Sequence, residues 1–511
     1  MSIPQPSISA NFVRTPNFLD PRITFTRSTN ATFVDKNRLI ATANVDVPRF
    51  EYSSSNGMLL GLLNEEYRVN YILQSENFST TWSATDITVS NNSTVAPDGN
   101  FTGDLITEGT ANTALMTQSV TVATANLGAG SIFLKAGPNS NTAWVKVFVS
   151  GAGAANGAAA WFNLSTGALG SNSVIGGGSQ PVAVMDTFID GWYRCRVSAN
   201  CPGETALSLS FHSASADGSN TRVNGATYFA WGGQLENARL ATSYMPTTTG
   251  TAFRASEKMV IEGNNFTSIY NTRSGEGTVI FNITFPPEFA LDDTSRDVFG
   301  ISASNTFTRS IYLNQSNATS YWTVGAAALF GTTIATGTNI IGLTYSTISN
   351  YVRPARNGTV VSSVGTYNKS VTANTSGVNA AADVILLASA NSNFFLGDRL
   401  YYRVPTGNTA IAGLTGNSYY YVSFSNSTAF AVSATQGGAN IDLTEARTTN
   451  PGETHTFTLN LVATPYDRIY LGGLWTAVGG NTASGLNGHF RKFAYYPSVM
   501  SNTQMQAITS I

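Results

Sequence analysis

The acidic residues are the first candidates for chemistry. Asp292, Asp293 and Asp297 fall in one short stretch, and Glu65 and Glu66 are adjacent. A glycosidase needs two carboxylates flanking one bond, roughly 5–9 Å apart. Neither set stands in an E-x-D-x-x-E segment, so solvated loop acids are the plainer reading. The stretch holding Asp292, Asp293 and Asp297 is the candidate metal site, for Ca²⁺, which takes six or more oxygen ligands. The Asp98-Gly99 turn is a weaker second, and no other cofactor is expected. His212, His455 and His489 show no Ser-His-Asp or metal-ligand spacing and read as ordinary strand residues. Gly-rich runs such as GGGSQ lack the strand and helix that make a phosphate loop. Cys195 and Cys201 are the only cysteines. A disulfide is open to them, but buried thiols are the simpler expectation.

Aromatic residues offer different chemistry. The apolar C–H face of a sugar stacks on an aromatic ring. Of the seven tryptophans, Trp322 and Trp475 are candidate ligand contacts, although core packing is the commoner fate of any one. Tyrosines cluster at Tyr401, Tyr402, Tyr419, Tyr420 and Tyr421. Successive strand residues face opposite sides. Either Tyr420 or the pair Tyr419 and Tyr421 should therefore face outward, to meet a ligand or a neighbouring chain.

These residues need strands to position them. Charged residues are 11% of the 511 positions, against roughly 25% in an ordinary soluble domain. Ser, Thr, Asn and Gly, which favour turns over helix interiors, take their place. The chain is 42% hydrophobic, enough for large cores. Its formal net charge of −2 comes without any basic stripe. Nucleic acid, whose binding needs clustered Lys and Arg, is not an expected partner. The N-terminus lacks a basic, then apolar, leader pattern, and no apolar run is long enough for a spanning helix, so membrane insertion is not expected either.

Short apolar runs bounded by Gly, Asn, Asp or Ser recur along the chain and predict an all-β protein of tandem antiparallel sandwiches. Residues 1–70, rich in Pro, Arg and Phe, read as an N-terminal attachment arm. Residues 71–254, with SIFLKAG, TAWVKVFVSG, GWYRCRVSA and ATYFAWGGQLE, read as a first sandwich. Residues 255–368 and 459–511 read as a second. The five short strands of 369–458 read as a small β-domain inserted into it. The best helix candidate is SNTQMQAITS at 501–510, N-capped by Ser501, with Met505 and Ile508 facing the sandwich.

Three stretches carry a resemblance. LDPRITFTRSTNATFVDKNRLI, followed by VPRFEY and the segment with Gly61, Leu62, Leu63, Glu65 or Glu66, Arg68, Asn70 and Ser75, resembles the head of a group of bacteriophage tail-associated and fibre-like proteins. NFSTTW through YFAWGGQLENARLATSYMPTTTG resembles the carbohydrate-binding-like jelly roll often beside it. GTVIFNITF, Asn357-Gly358-Thr359 and LNGHFRKFAYYPSVMSNTQMQAI resemble a concanavalin A-like (LamG-like) lectin sandwich. There Gln504 stands where that pattern has Glu, and Val499 where it has Leu. GDR…TAIAGLTGNSYYYV…FAV resembles a β repeat of phage fibres.

The resemblance implies a structural protein of the phage virion, made in the host cytoplasm. It would be a tail fibre or tail-associated protein that binds host surface polysaccharide or neighbouring virion proteins without catalysis. A homo-oligomer, a trimer by analogy with fibres, is its expected state. A head decoration or head-fibre protein and a polysaccharide depolymerase are the alternatives.

Overall fold

The computed structural model describes residues 2–510 apart from 140–142, 271–275, 287–294, 303–309, 315–319, 325, 331–335, 347–350, 361–369, 388–393, 395, 445–454, 460–466 and 474–484. For strand residues 123–126, 295–298, 302, 310–314, 320–324, 326–330, 346, 351–352, 370, 374–376 and 459 it describes the backbone alone. The architecture is all-β, with antiparallel pairing throughout and two short helices among the described residues.

The first sandwich is built on two very long strands, Leu115–Ala136 and Trp192–Ala214. They pair with each other along most of their length. The sheet continues through Trp144–Gly151 and Gly157–Asn163 on one side, and Thr227–Glu236 and Gly103–Glu108 on the other. Its interior holds Ile132, Leu134, Val147, Phe162, Val197 and Phe211, all essentially without solvent contact. Cys195 and Cys201 lie in the same core as free thiols. Burial, the larger cause, raises both thiol pKa values, that of Cys201 to about 12.

The second sandwich draws on both ends of the chain. One of its sheets runs in the order Tyr351–Arg356, Gly337–Ser346, Glu276–Phe285, Gly488–Tyr496, Leu59–Asn64, Arg49–Tyr52, and Ile8–Asn11 also pairs with Gly488–Tyr496. The other contains Thr24–Thr26, Lys258–Glu262, Arg468–Leu471 and Ser295–Ser302. Residues 1–70 pack on the second sandwich of this chain. They supply strands to both sheets, because Phe12, Phe25 and Phe50 complete a core with Phe281, Phe490 and Phe493 that they could not form alone. Gly61 permits this union. Its φ is +139°, and a Cβ there would meet the Phe490 carbonyl oxygen at 2.3 Å.

Within the inserted stretch, strands Ser370–Asn379, Val384–Leu387, Ala429–Ser433, Ser418–Ser425, Arg399–Arg403 and Thr456–Leu459 close into a six-stranded barrel. Tyr402 and Phe457 stack inside it at 4.6 Å, with Phe430 edge-on to Phe457. The barrel interior and the sandwich core form one contiguous apolar cluster. Near the C-terminus, helix Asn502–Thr509 is held by a capping box between Ser501 and Gln504. Met505 is fully buried against the sheet and Ile508 partly so.

Candidate functional site

Two regions gather groups able to meet a ligand. The first is the outer face of the barrel. Strands Arg399–Arg403 and Ser418–Ser425 pair so that Arg399 lies opposite Tyr421 and Tyr401 opposite Tyr419. The alternation sends Leu400, Tyr402 and Tyr420 inward, leaving Arg399, Tyr401, Tyr419 and Tyr421 outside. The Arg399 guanidinium carbon sits 4.0 Å from the Tyr419 ring centroid and 6.0 Å from that of Tyr421. Tyr401 and Tyr419 are 5.0 Å apart. Tyr419 is 44% exposed, and Arg399 Nε has no hydrogen-bond partner. The result is a surface ladder of aromatic faces with a cation laid across it.

Tyr420 belongs to the barrel core instead. Its hydroxyl accepts from the Thr415 amide at 2.6 Å, and it is 7% exposed. Of the three consecutive tyrosines, Tyr419 and Tyr421 face outward. Trp322 pairs through its backbone with Ile311, and Asp297 with Tyr312, but their side chains lie outside the described residues. Trp475, Asp292 and Asp293 fall wholly outside them. Among the described residues no group of His, Cys, Asp and Glu could hold a metal ion.

The second region is a cleft of about 480 Å³ that the sequence did not announce. One wall comes from Glu51–Ser55, Leu60, Leu63 and Glu65. Another comes from Met185–Phe188, Arg194, Arg196 and Leu240–Ser243 of the first sandwich. Thr284, Pro286 and Asn487–His489 of the second sandwich complete it.

A buried ion network fixes these walls together. Arg49 donates from Nε and Nη2 to the two Glu257 oxygens at 2.7 and 2.8 Å, and from Nη2 to Glu65 at 2.8 Å. Arg27 reaches Glu257 at 2.8 Å, and Arg254 reaches Glu65 at 3.2 Å. The Ser243 amide and hydroxyl both donate to Glu65, at 2.8 and 2.7 Å. Burial would push the Glu65 carboxyl up, but Arg254 and Arg49 outweigh it and hold the pKa well below the usual range. Burial likewise works against the Arg49 cation, yet Glu257 and Glu65 raise its pKa overall.

Most residues of the LLNEEYRVN motif serve this joint. Glu66 pairs with Arg68 and accepts from Asn487. Asn70 donates to the Gly233 and Met245 carbonyls at 3.2 and 2.8 Å. Ser75 shares a hydrogen bond with the Tyr244 hydroxyl at 2.7 Å.

The acids facing the cleft all have partners. Glu51 meets His489 Nε2 at 2.7 Å, Asp186 meets Arg196 Nε at 2.9 Å, and Glu65 is held as above. Arg194 differs. It is 9% exposed, donates to Ser131 Oγ at 2.9 Å and the Thr242 carbonyl at 2.7 Å, and lies over Phe133. No carboxylate pairs with it among the described residues. Burial first, and then Arg196, lower its pKa. A signal for it existed: Arg194 and Arg196 alternate with Cys195, which puts both arginines on one face of a core strand. Of the remaining histidines, His212 Nδ1 lies 2.6 Å from the Ser213 carbonyl, and His455 Nδ1 is 2.8 Å from the Tyr402 hydroxyl.

No family model and no curated protein matches the chain. Among solved structures, a Trypanosoma rangeli sialidase in complex with sialic acid aligns at 9% identity, covering 92% of this chain and 74% of that one, with a TM-score of 0.21. The full extracellular region of zebrafish Gpr126/Adgrg6 aligns at 11% identity and TM-score 0.17, covering 82% of this chain and 41% of that one. A putative secreted protein from Eubacterium rectale aligns at 11% identity and TM-score 0.16, covering 95% and 99%. At such scores these β-rich proteins share a general likeness with this chain and nothing more specific.

Proposed function

We propose that the chain is a structural protein of a bacteriophage particle, a tail fibre or tail-associated component, that binds a surface glycan or a neighbouring virion subunit without cleaving it. The observation that carries the binding role is the ladder of Arg399, Tyr401, Tyr419 and Tyr421. Rings exposed on a rigid barrel pay little ordering cost when a sugar stacks on them. The particle assignment draws support from the head motif. Its residues meet at the joint between the two sandwiches, so in this chain the resemblance falls on residues that hold the fold together. A non-catalytic role is supported by the cleft acids Asp186 and Glu65, each of which is held by an arginine rather than kept as a free acid or base. Assembly as a homo-oligomer, with a trimer as the working state, and residence in the virion complete the reading.

Incubation with capsular and lipopolysaccharide fractions from candidate hosts tests it. Retention on an affinity gel without release of reducing ends is the expected result. Release of reducing ends would replace it with a depolymerase. Immunogold labelling of intact particles separates tail from head, and absence of label from both would remove the particle assignment.

A further inference from the structure

The interdomain cleft contains one charge that the fold leaves unmatched. Of the two arginines lining the cleft, Arg194 and Arg196, only Arg194 has no carboxylate partner among the described residues; Arg196 has Asp186. Its Nε and Nη2 are committed to Ser131 and the Thr242 carbonyl, which fixes the guanidinium plane, and Nη1 has no acceptor among the described residues. A buried, oriented and unpaired guanidinium is costly unless something anionic joins it. Arginine presents a planar donor edge that matches a carboxylate.

The surroundings narrow the anion. Glu51, Glu65 and Asp186 line the same cleft, so its potential suits a single negative charge better than two. That favours a carboxylate over a phosphate dianion. The volume of about 480 Å³ is that of a small-molecule site. The walls set Phe188 and Leu60 beside Ser53, Ser54 and Thr187, a mixture suited to a ring with an apolar face and hydroxyl edges. We infer that this cleft binds the carboxylate of an acidic sugar, of the uronic-acid type, seated on Arg194 between the two sandwiches. The inference depends neither on the barrel ladder nor on the particle assignment.

Isothermal titration of the full chain with sodium glucuronate tests it, with glucose as the neutral control and inorganic phosphate as the competing anion. Glucuronate should bind, weaken as salt is raised, and bind at least tenfold tighter than either control. Arg194→Gln should lose this binding at least tenfold. Thr187→Trp, at an exposed position on the cleft, should block it while leaving the fold intact, and so decides the matter if the arginine variant fails to fold. Val174→Ala, at an exposed position outside the cleft lining, should leave glucuronate binding unchanged. No binding of glucuronate, equal binding of glucose, preference for phosphate, or full binding in Thr187→Trp would each overturn the inference, as would loss of binding in Val174→Ala.

Discussion

Arg49 and Glu257, separated by 208 positions in sequence, meet through two hydrogen bonds of 2.7 and 2.8 Å with neither side chain in contact with solvent. Arg49 lies on a strand beside Leu59–Asn64, while Glu257 immediately precedes strand Lys258–Glu262 of the opposite sheet. The pair ties the early segment to the far side of the second sandwich. Through Glu65 and Ser243 it ties both to the first.

Removing one partner should therefore be severe. Arg49→Met would leave Glu257 and Glu65 buried with less compensation, a loss expected at about 3–5 kcal/mol. Urea unfolding would show it as a lower midpoint. A change below about 1 kcal/mol would mean that the network is not a structural joint.

Acid should act through two groups in the same direction. The folded pKa of Glu65 is lowered below its ordinary 4.5, so its contribution is present above that value and is lost as pH falls below it. Burial, the main cause, lowers His212 from 6.5 to about 3, so the unfolded chain binds a proton first as pH falls through that window. Both make stability decline on acidification. In melting temperature against pH, His212→Gln should flatten the slope between about 6.5 and 3, and Glu65→Gln should flatten it below about 4.5. Slopes unchanged in both variants would refute the assignment.

A chain starting at Val69 should fail to fold its second sandwich. It would lose Ile8, Phe12, Phe25, Phe50 and Leu62 from the core together with Arg49 and Glu65 from the network. Circular dichroism and light scattering should report lost β signal and aggregation. A soluble, cooperatively melting fragment would show that the early strands are dispensable.

The barrel ladder and the barrel core should separate cleanly by mutation. Tyr402→Ala removes a ring stacked on Phe457 and should cost about 3–5 kcal/mol. Tyr419→Ala sits on the surface and should change stability by less than about 1 kcal/mol. If the ladder contacts glycan, the second variant alone should lose retention on a polysaccharide affinity gel while keeping its melting temperature. Retention equal to that of the unaltered chain would remove the ladder from the site.

The all-β class was readable because strand signals are local: period-2 runs, turn residues, and the YYY triplet whose alternation sets Tyr420 on the opposite side from Tyr419 and Tyr421, though not which side is outside. The last helix was readable for the same reason, since Ser501 and Gln504 make their cap within four positions. What the sequence hid is long-range. Nothing near Phe12 or Phe50 says that they share a core with Phe490 and Phe493. That residues 1–70 must dock on another body was readable from their inability to form a core; which body was not. The cleft was hidden likewise, because its walls come from three distant stretches. Arg194 and Arg196 gave a local hint, two cations on one face of a core strand, but only the tertiary pairing shows that one of them lacks an anion.

The pairing of Ile8–Asn11 with Gly488–Tyr496 has a consequence for synthesis. The Ser7 amide finds its acceptor on Tyr495, 488 residues later, and the Gln504 side chain donates to the Ser2 carbonyl. At about 5–20 residues per second, the ribosome leaves the early strands waiting roughly 25–100 s for their partner. The first sandwich has its main strands within residues 83–236 and can close long before then. A transcript cut short, or a ribosome that stalls late, releases a chain with a finished first half in which Ile8–Asn11 and one edge of Leu59–Asn64 lack their partner strand. Such a product is a ready substrate for chaperones and proteases, so the fold itself screens for chains read through to the last strand.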